Sequence, residues 1–267
     1  MSTPAGGLRV VRREADPRVV DVVLDRPEVR NAFDAALVAA LGEAALFLAA
    51  DASVRVVVLS GAGKSFCAGA DLNWMRATAA NGPAENRRDA VALARTFRAW
   101  DDLPRPVVGR IQGAALGGGT GLAAVCDIVV ASGSALFGTT EVRLGIVPAV
   151  IGPYLVRKIG PSAARAWFLA GSRVEAAEAL RAGLVHRVVP EASLDLEVEA
   201  VVADLLLGAP EAQASAKSLA KSFGTGSLDG EGAAAVEEIA SRRASEEGQE
   251  GMAAFLEKRP PRWTIRT

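Results

Sequence analysis

The chain has 267 residues, with 30 lysines and arginines against 31 aspartates and glutamates, for a net charge of −1. That balance argues against nucleic acid as the partner, which would call for a basic face. One histidine and two cysteines leave room for neither a zinc site nor a disulfide framework. Half the residues are hydrophobic, mostly alanine, valine and leucine, which suits stacked α/β layers. No apolar run reaches the roughly 18 residues of a membrane span, so no membrane is expected as a partner. Met1 to Gly7 lacks the apolar region of a signal peptide. With so little cysteine a reducing, cytoplasmic location is the expectation.

In chain order, Leu8–Val11 and Val19–Leu24 read as a strand hairpin, and Asp25-Arg26-Pro27-Glu28 as a turn. Asn31 is placed to cap a helix over 32–50, with Phe33, Leu37, Leu41 and Leu48 on its apolar side. Val54–Leu59 predicts a strand buried on both faces. A glycine-rich segment over 60–71 leads into a helix starting at Leu72, and a longer helix follows over 85–102. Strands are expected at 106–111 and 128–130. The punctuated run 144–153 reads as loop, followed by helices over 161–170 and 173–182. His186 lies in an alternating run that looks like a strand edge. From Leu194 onward the pattern is helical, over 194–207, 212–223 and 232–255. It divides the chain into a core over 1–193 and a helical region over 194–267 suited to subunit contacts.

The stretch from Ile111 to Asp127 holds the most chemistry. A strand runs into Gly117-Gly118-Gly119, and a small apolar helix over 120–125 follows. Glycines there let the backbone approach a ligand, and the first helical turn offers free N–H groups. The pattern fits a phosphate or a developing oxyanion, or else a tight turn with no ligand. Gly119-Thr120-Gly121-Leu122-Ala123-Ala124 matches a dinucleotide fingerprint, but no acid stands at the tip of the next strand. Gly61-Ala62-Gly63-Lys64-Ser65 ends like a P-loop, yet Val58 stands where its first glycine should be. Both are rejected.

Phe66-Cys67-Ala68-Gly69-Ala70-Asp71-Leu72, Gly113 to Gly119, and Cys126-Asp127-Ile128 together resemble the enoyl-CoA hydratase/isomerase (crotonase) superfamily. Leu24-Asp25-Arg26-Pro27, Glu141 to Gly145 and Phe255 to Arg259 extend the resemblance over nearly the whole chain. It implies an α/β spiral of strand–strand–helix units with a helical C-terminal region that builds homotrimers, often paired into hexamers. It also implies an acyl-CoA thioester substrate whose enolate oxygen meets backbone N–H groups, here of Ala70 and Gly118. No separate cofactor is implied, since CoA is part of the substrate. By the same resemblance Ala68, Arg30 and Lys64 would meet CoA, and Phe255 with Lys258 would close over it, in some members from a neighbouring subunit. Leu116, Gly117, Asp71 and Leu72 would contact the substrate and Trp74 would line the acyl pocket, with a helix cap as the other reading for Asp71 and core packing for Trp74.

Hydratases of this family use two glutamates. Glu141 matches the second, and the first falls on Gly121, which cannot move a proton. Isomerases that shift the double bond between C3 and C2 work with a single glutamate at the Glu141 position. The run from Gly117 through Leu122, with Glu141 to Tyr154, is nonetheless similar to a bacterial branch assigned to methylglutaconyl-CoA hydration, which also has glycine at that place. The expectation is therefore a hydratase of short or branched acyl-CoA. The alternatives are a single-glutamate isomerase and a non-catalytic acyl-CoA-binding relative.

Overall fold

The computed structural model describes residues 6–223 and 227–265. Strands β1 (Leu8–Arg12) and β2 (Val19–Leu24) pair antiparallel as the hairpin. After a 3₁₀ turn at Pro27–Val29, helix α1 (Ala35–Ala50) begins later than expected, because Asp34 is the cap: its carboxylate accepts from Leu37 N at 2.8 Å. Then come β3 (Val56–Gly61), α2 (Leu72–Thr78), α3 (Pro83–Asp101), β4 (Val107–Ile111), β5 (Ala114–Leu116) and α4 (Gly118–Val125). The middle of the chain adds β6 (Ile128–Ser132), β7 (Leu136–Gly138), α5 (Gly152–Ala170), β8 (Val174–Glu175), α6 (Ala176–Ala182) and β9 (Arg187–Val189). Helices α7 (Leu194–Leu207), α8 (Pro210–Ser222), α9 (Leu228–Ala244) and α10 (Glu246–Leu256) complete the described elements.

The larger sheet has six strands in the order β1-β2-β3-β4-β6-β9, parallel except at β1. One face packs on α1, α3, α4 and α5 through Leu37, Leu41, Phe97, Trp100, Leu122 and Leu155. Val19, Val56, Val58, Val108 and Val130 on the other face bury Leu194, Val198, Val201 and Val202 of α7. Burial on both faces is why these strands are nearly continuous valine and leucine. The first helix of the C-terminal region thus covers the sheet itself.

A second sheet, β5-β7-β8, repeats beside the first. Ala115 pairs with Phe137, and an isolated bridge pairs Cys67 with Ala115. Three successive turns of chain therefore lay Cys67, Ala115 and Phe137 side by side, which is the repeat of an α/β spiral. These short strands escape a periodicity reading because two or three residues hold no period. Helix α5 begins at Gly152 and kinks at Gly160 (φ 73°), before Pro161, where the sequence placed the helix start. The long helix expected over 232–255 divides at Ser245, whose hydroxyl caps α10 by accepting from Gly248 N at 3.0 Å.

His186 is a pairing residue: its Nδ1 accepts from Val129 N at 2.9 Å, and its own N–H donates to Val129 O. Burial lowers its pKa and keeps the ring neutral. Cys67 and Cys126 are unpaired and fully buried, and burial pushes both thiols up to about 12. Among the described residues no group of acidic, histidine and cysteine side chains is arranged to hold a metal, and no helix is long and apolar enough to cross a membrane.

Candidate active site

Beyond β3 the chain runs through 62–71 in an extended path clamped on both sides. On one side Phe66 N donates to Gln112 O, Cys67 N to Ala114 O, and Leu116 N back to Cys67 O, all at 2.9 Å. On the other, the strap over 26–34 pairs with it: Ala68 N donates to Arg30 O (3.0 Å), Phe33 N to Gly69 O (2.7 Å) and Asp71 N to Phe33 O (2.8 Å). Asn31, buried and left-handed at φ 57°, ties the loop down, its Nδ2 donating to Ala62 O and Ser65 O at 2.9 and 2.8 Å. Arg26 spans the strap, donating to Ala32 O and pairing with both Asp34 and Asp71. The expected capping role of Asn31 is thus replaced by a tether, as Asp34 takes the cap.

This clamp leaves Ala70 between two bonded residues with its own N–H donating to no acceptor among the described residues. Asp71 caps α2, accepting from Asn73 N (2.7 Å) and Trp74 N (3.3 Å). Burial works to raise its pKa, but those N–H groups and Arg26 outweigh it and hold the carboxyl low. Asp71 is therefore an ionised cap, not a proton carrier.

Gly117 takes φ 53°, and its N–H donates to Gly138 O at 2.8 Å. Helix α4 then starts at Gly118, two residues earlier than the expected helix, so the glycines themselves form its first turn. The Gly118 N–H lies among the amides that no carbonyl of an α-helix can reach. Thr120 locks this corner: its hydroxyl donates to Ala115 O at 2.6 Å and accepts from Gly138 N at 3.0 Å. The two glycine turns meet, for a Cβ on Gly69 would lie 3.3 Å from Leu116 O, and one on Gly117 would lie 3.9 Å from Gly69 Cα.

The same Cβ on Gly117 would lie 3.4 Å from Glu141 Oε1. Glu141 follows β7 on a 3₁₀ turn, Thr140–Leu144, so the bonds from β7 to α4 also fix its distance from the glycine turn. Its Oε2 is buried with no hydrogen-bond partner among the described residues, and burial raises its pKa. A raised pKa and an oxygen without a partner are the features that suit a carboxyl to exchange protons.

Gly121 has no room for the missing glutamate. A Cβ there would fall 2.3 Å from Ile151 Cγ2 and 2.9 Å from Phe97 Cε1. Position 121 belongs to the contact between α4 and its neighbours.

The remaining expected residues divide into two groups. Arg30 and Lys64 are exposed, Arg30 beside half-buried Ala68, and neither side chain forms an ion pair among the described residues. Leu116 is half-buried beside the turn, Leu72 is exposed, and Trp74 packs half-buried against the main core. Phe255 and Lys258 are exposed elsewhere. Arg259 pairs with Glu250, while Arg18 and Arg55 hold Trp263 O at the start of β2 and β3. Lys64 and Ala68 lie past the end of β3 opposite that anchor. Arg26, Asn31 and Phe33 are site residues that the sequence reading missed. Arg26 stood inside the Leu24–Pro27 signature without a role, and Asn31 and Phe33 passed as the start of a helix.

Residues 14–266 match the family model described as enoyl-CoA hydratase/isomerase. A Thermus thermophilus protein provisionally named an enoyl-CoA hydratase is 40% identical over 92% of this chain and 97% of its own length. A solved enoyl-CoA hydratase from Shewanella pealeana superposes with a TM-score of 0.92 at 37% identity, covering 96% of each chain. AtuE of Pseudomonas aeruginosa does so at 0.92 and 36% identity, covering 97% of this chain and 100% of its own. Two converging glycine turns, a half-buried carboxyl beside them and likeness along nearly the whole chain lead to one assignment: the protein belongs to the enoyl-CoA hydratase/isomerase family.

Proposed function

We propose that the chain hydrates a 2-enoyl-CoA thioester, with Glu141 as its single acid–base group. The observation that carries this is the Glu141 carboxyl beside Gly117, its Oε2 buried and without a hydrogen-bond partner among the described residues, between the two turns that carry the Ala70 and Gly118 amides. The thioester oxygen would accept from Ala70 N and Gly118 N. Glu141 takes a proton from water as the water oxygen bonds to C3, and the charge passes to the thioester oxygen as an enolate. The proton then goes from Glu141 to C2, restoring the thioester and the carboxylate. One such backbone donor typically contributes about 2.7–4 kcal/mol to the transition state.

The acyl group is short or branched, with methylglutaconyl-CoA the candidate supported by the likeness of 117–122 and 141–154 to that branch. Arg30, Lys64 and Ala68 would receive CoA. Phe255 and Lys258 would come from a neighbouring copy in a homotrimer or hexamer, with the 194–267 region and the exposed Leu144, Ile146 and Val147 supplying subunit contacts. A single-glutamate isomerase is the second reading, favoured by the filled position at Gly121. Ultraviolet absorbance of the conjugated thioester separates the two. Hydration of crotonyl-CoA or methylglutaconyl-CoA removes it, isomerisation of a 3-enoyl-CoA creates it, and a non-catalytic binder changes neither.

A further inference from the structure

Phe33 touches both halves of the site at once. Its peptide N–H and C=O hold Gly69 O and Asp71 N at 2.7 and 2.8 Å, the bonds on either side of Ala70. Its ring lies under the first residue of α4, so close that a Cβ on Gly118 would stand 2.6 Å from Phe33 Cε2 and 2.9 Å from Cδ2. The residue is 3% exposed, and its ring rests against Phe97, with centroids 6.3 Å apart. Phe97 in turn packs beneath Gly121, one helical turn further along α4. The two amides thus sit on different turns of the spiral, and Phe33 contacts the backbone of both.

We infer that Phe33 is the positioning residue of the oxyanion hole: its backbone fixes the Ala70 amide, its ring sets the height of the Gly118 amide, and together they set the gap between the donors. This rests on the reading of Ala70 and Gly118 as the donors. A thioester oxygen needs both hydrogen bonds near 2.7–3.1 Å. A ring packed against bare backbone allows little adjustment, because close-packed interiors transmit such shifts. It also explains glycine at 118 by contact, since any side chain there meets the ring.

The test reads hydrogen bonding to the substrate directly. The C=O stretch of bound ¹³C-carbonyl acyl-CoA is measured by infrared difference spectroscopy, with kcat and KM, for the wild type, Phe33→Leu, Phe33→Ala, Gly118→Ala and the pair Phe33→Ala/Gly118→Ala. The wild type should shift the stretch to lower frequency. Phe33→Ala should lose much of that shift and about tenfold to a hundredfold in kcat, the scale of a misplaced reacting group, while KM stays within a few-fold. Phe33→Leu should recover most of both. Gly118→Ala should behave like Phe33→Ala, and the double variant, with the obstructing ring gone, should regain part of the shift.

No shift in the wild type would sink the oxyanion reading itself, and this inference with it. A normal wild-type shift that Phe33→Ala retains would overturn the positioning role alone. If Phe33→Ala does not fold, Gly118→Ala and the added pair Phe33→Leu/Gly118→Ala decide: a pair that restores none of the shift lost in Gly118→Ala overturns the role.

Discussion

Adding one methyl group at Gly121 tests whether that position belongs to the packing or to the pocket. The new Cβ would lie 2.3 Å from Ile151 Cγ2 and 2.9 Å from Phe97 Cε1, where carbon atoms at rest stand about 3.5–4.0 Å apart. The overlap with Ile151 exceeds about 1 Å, too much for a small adjustment in a close-packed interior. Overpacking of this kind costs about 1–3 kcal/mol, and replacing a helical glycine returns at most about 1 kcal/mol. Gly121→Ala should therefore lose about 1–2 kcal/mol net, a fall in Tm of about 2–8 °C for a chain of this size. Thermal unfolding at fixed protein concentration measures it, within a double-mutant cycle against Ile151. Ile151→Ala removes Cγ2 and should couple favourably with Gly121→Ala by about 1 kcal/mol or more. Ile151→Val keeps Cγ2 and should not. Strict additivity with both partners would refute the packing argument. It follows that Gly121→Glu installs no second acid: it should lower folded yield and leave hydration of crotonyl-CoA unimproved.

Three other outcomes follow from the same geometry. Glu141→Gln should cost about 10²–10⁴ in turnover. Because burial raises this carboxyl's pKa, the ionised form is disfavoured by folding, so stability falls as pH rises from the ordinary glutamate value through the folded one. Glu141→Gln should thus raise Tm at neutral pH and lose that advantage in acid, measured by melts across pH. Asp71→Ala should cost about 0.5–2 kcal/mol as a lost cap, read by urea unfolding. Since the Asp71 pKa is held low, its contribution is present above the unfolded pKa and fades as pH falls through the folded one, so wild type and variant should converge in acid. Gly118→Pro should abolish turnover beyond the loss of one donor, because the ring would also strike Phe33; kcat against CoA-binding affinity measures the split.

Valine and leucine runs made the sheet legible, because strands buried on both faces need no alternation to be recognised. The converging turns were legible through glycine, as close backbone approach leaves few other residues possible. The tie between them was not. Asn31 and Phe33 act across 30 to 85 residues of sequence, through backbone bonds and ring contacts that leave no local period. Gly121 was read as a vacated catalytic position, whereas its meaning depends on Ile151, a residue in a loop without pattern. Short strands such as β5 and β7 exist only because their neighbours in the spiral supply the pairing. Phe255 and Lys258 were legible as a signature, but the anchoring of Trp263 O by Arg18 and Arg55 was not.

In the proposed reaction two backbone amides receive the thioester oxygen beside one carboxyl. A crystal structure with a non-reactive acyl-CoA thioester bound tests it most directly. The thioester oxygen should lie about 2.7–3.1 Å from both Ala70 N and Gly118 N, with the Glu141 carboxyl facing C2 and C3. A thioester oxygen directed elsewhere, or either amide turned to a protein acceptor in the complex, would contradict it.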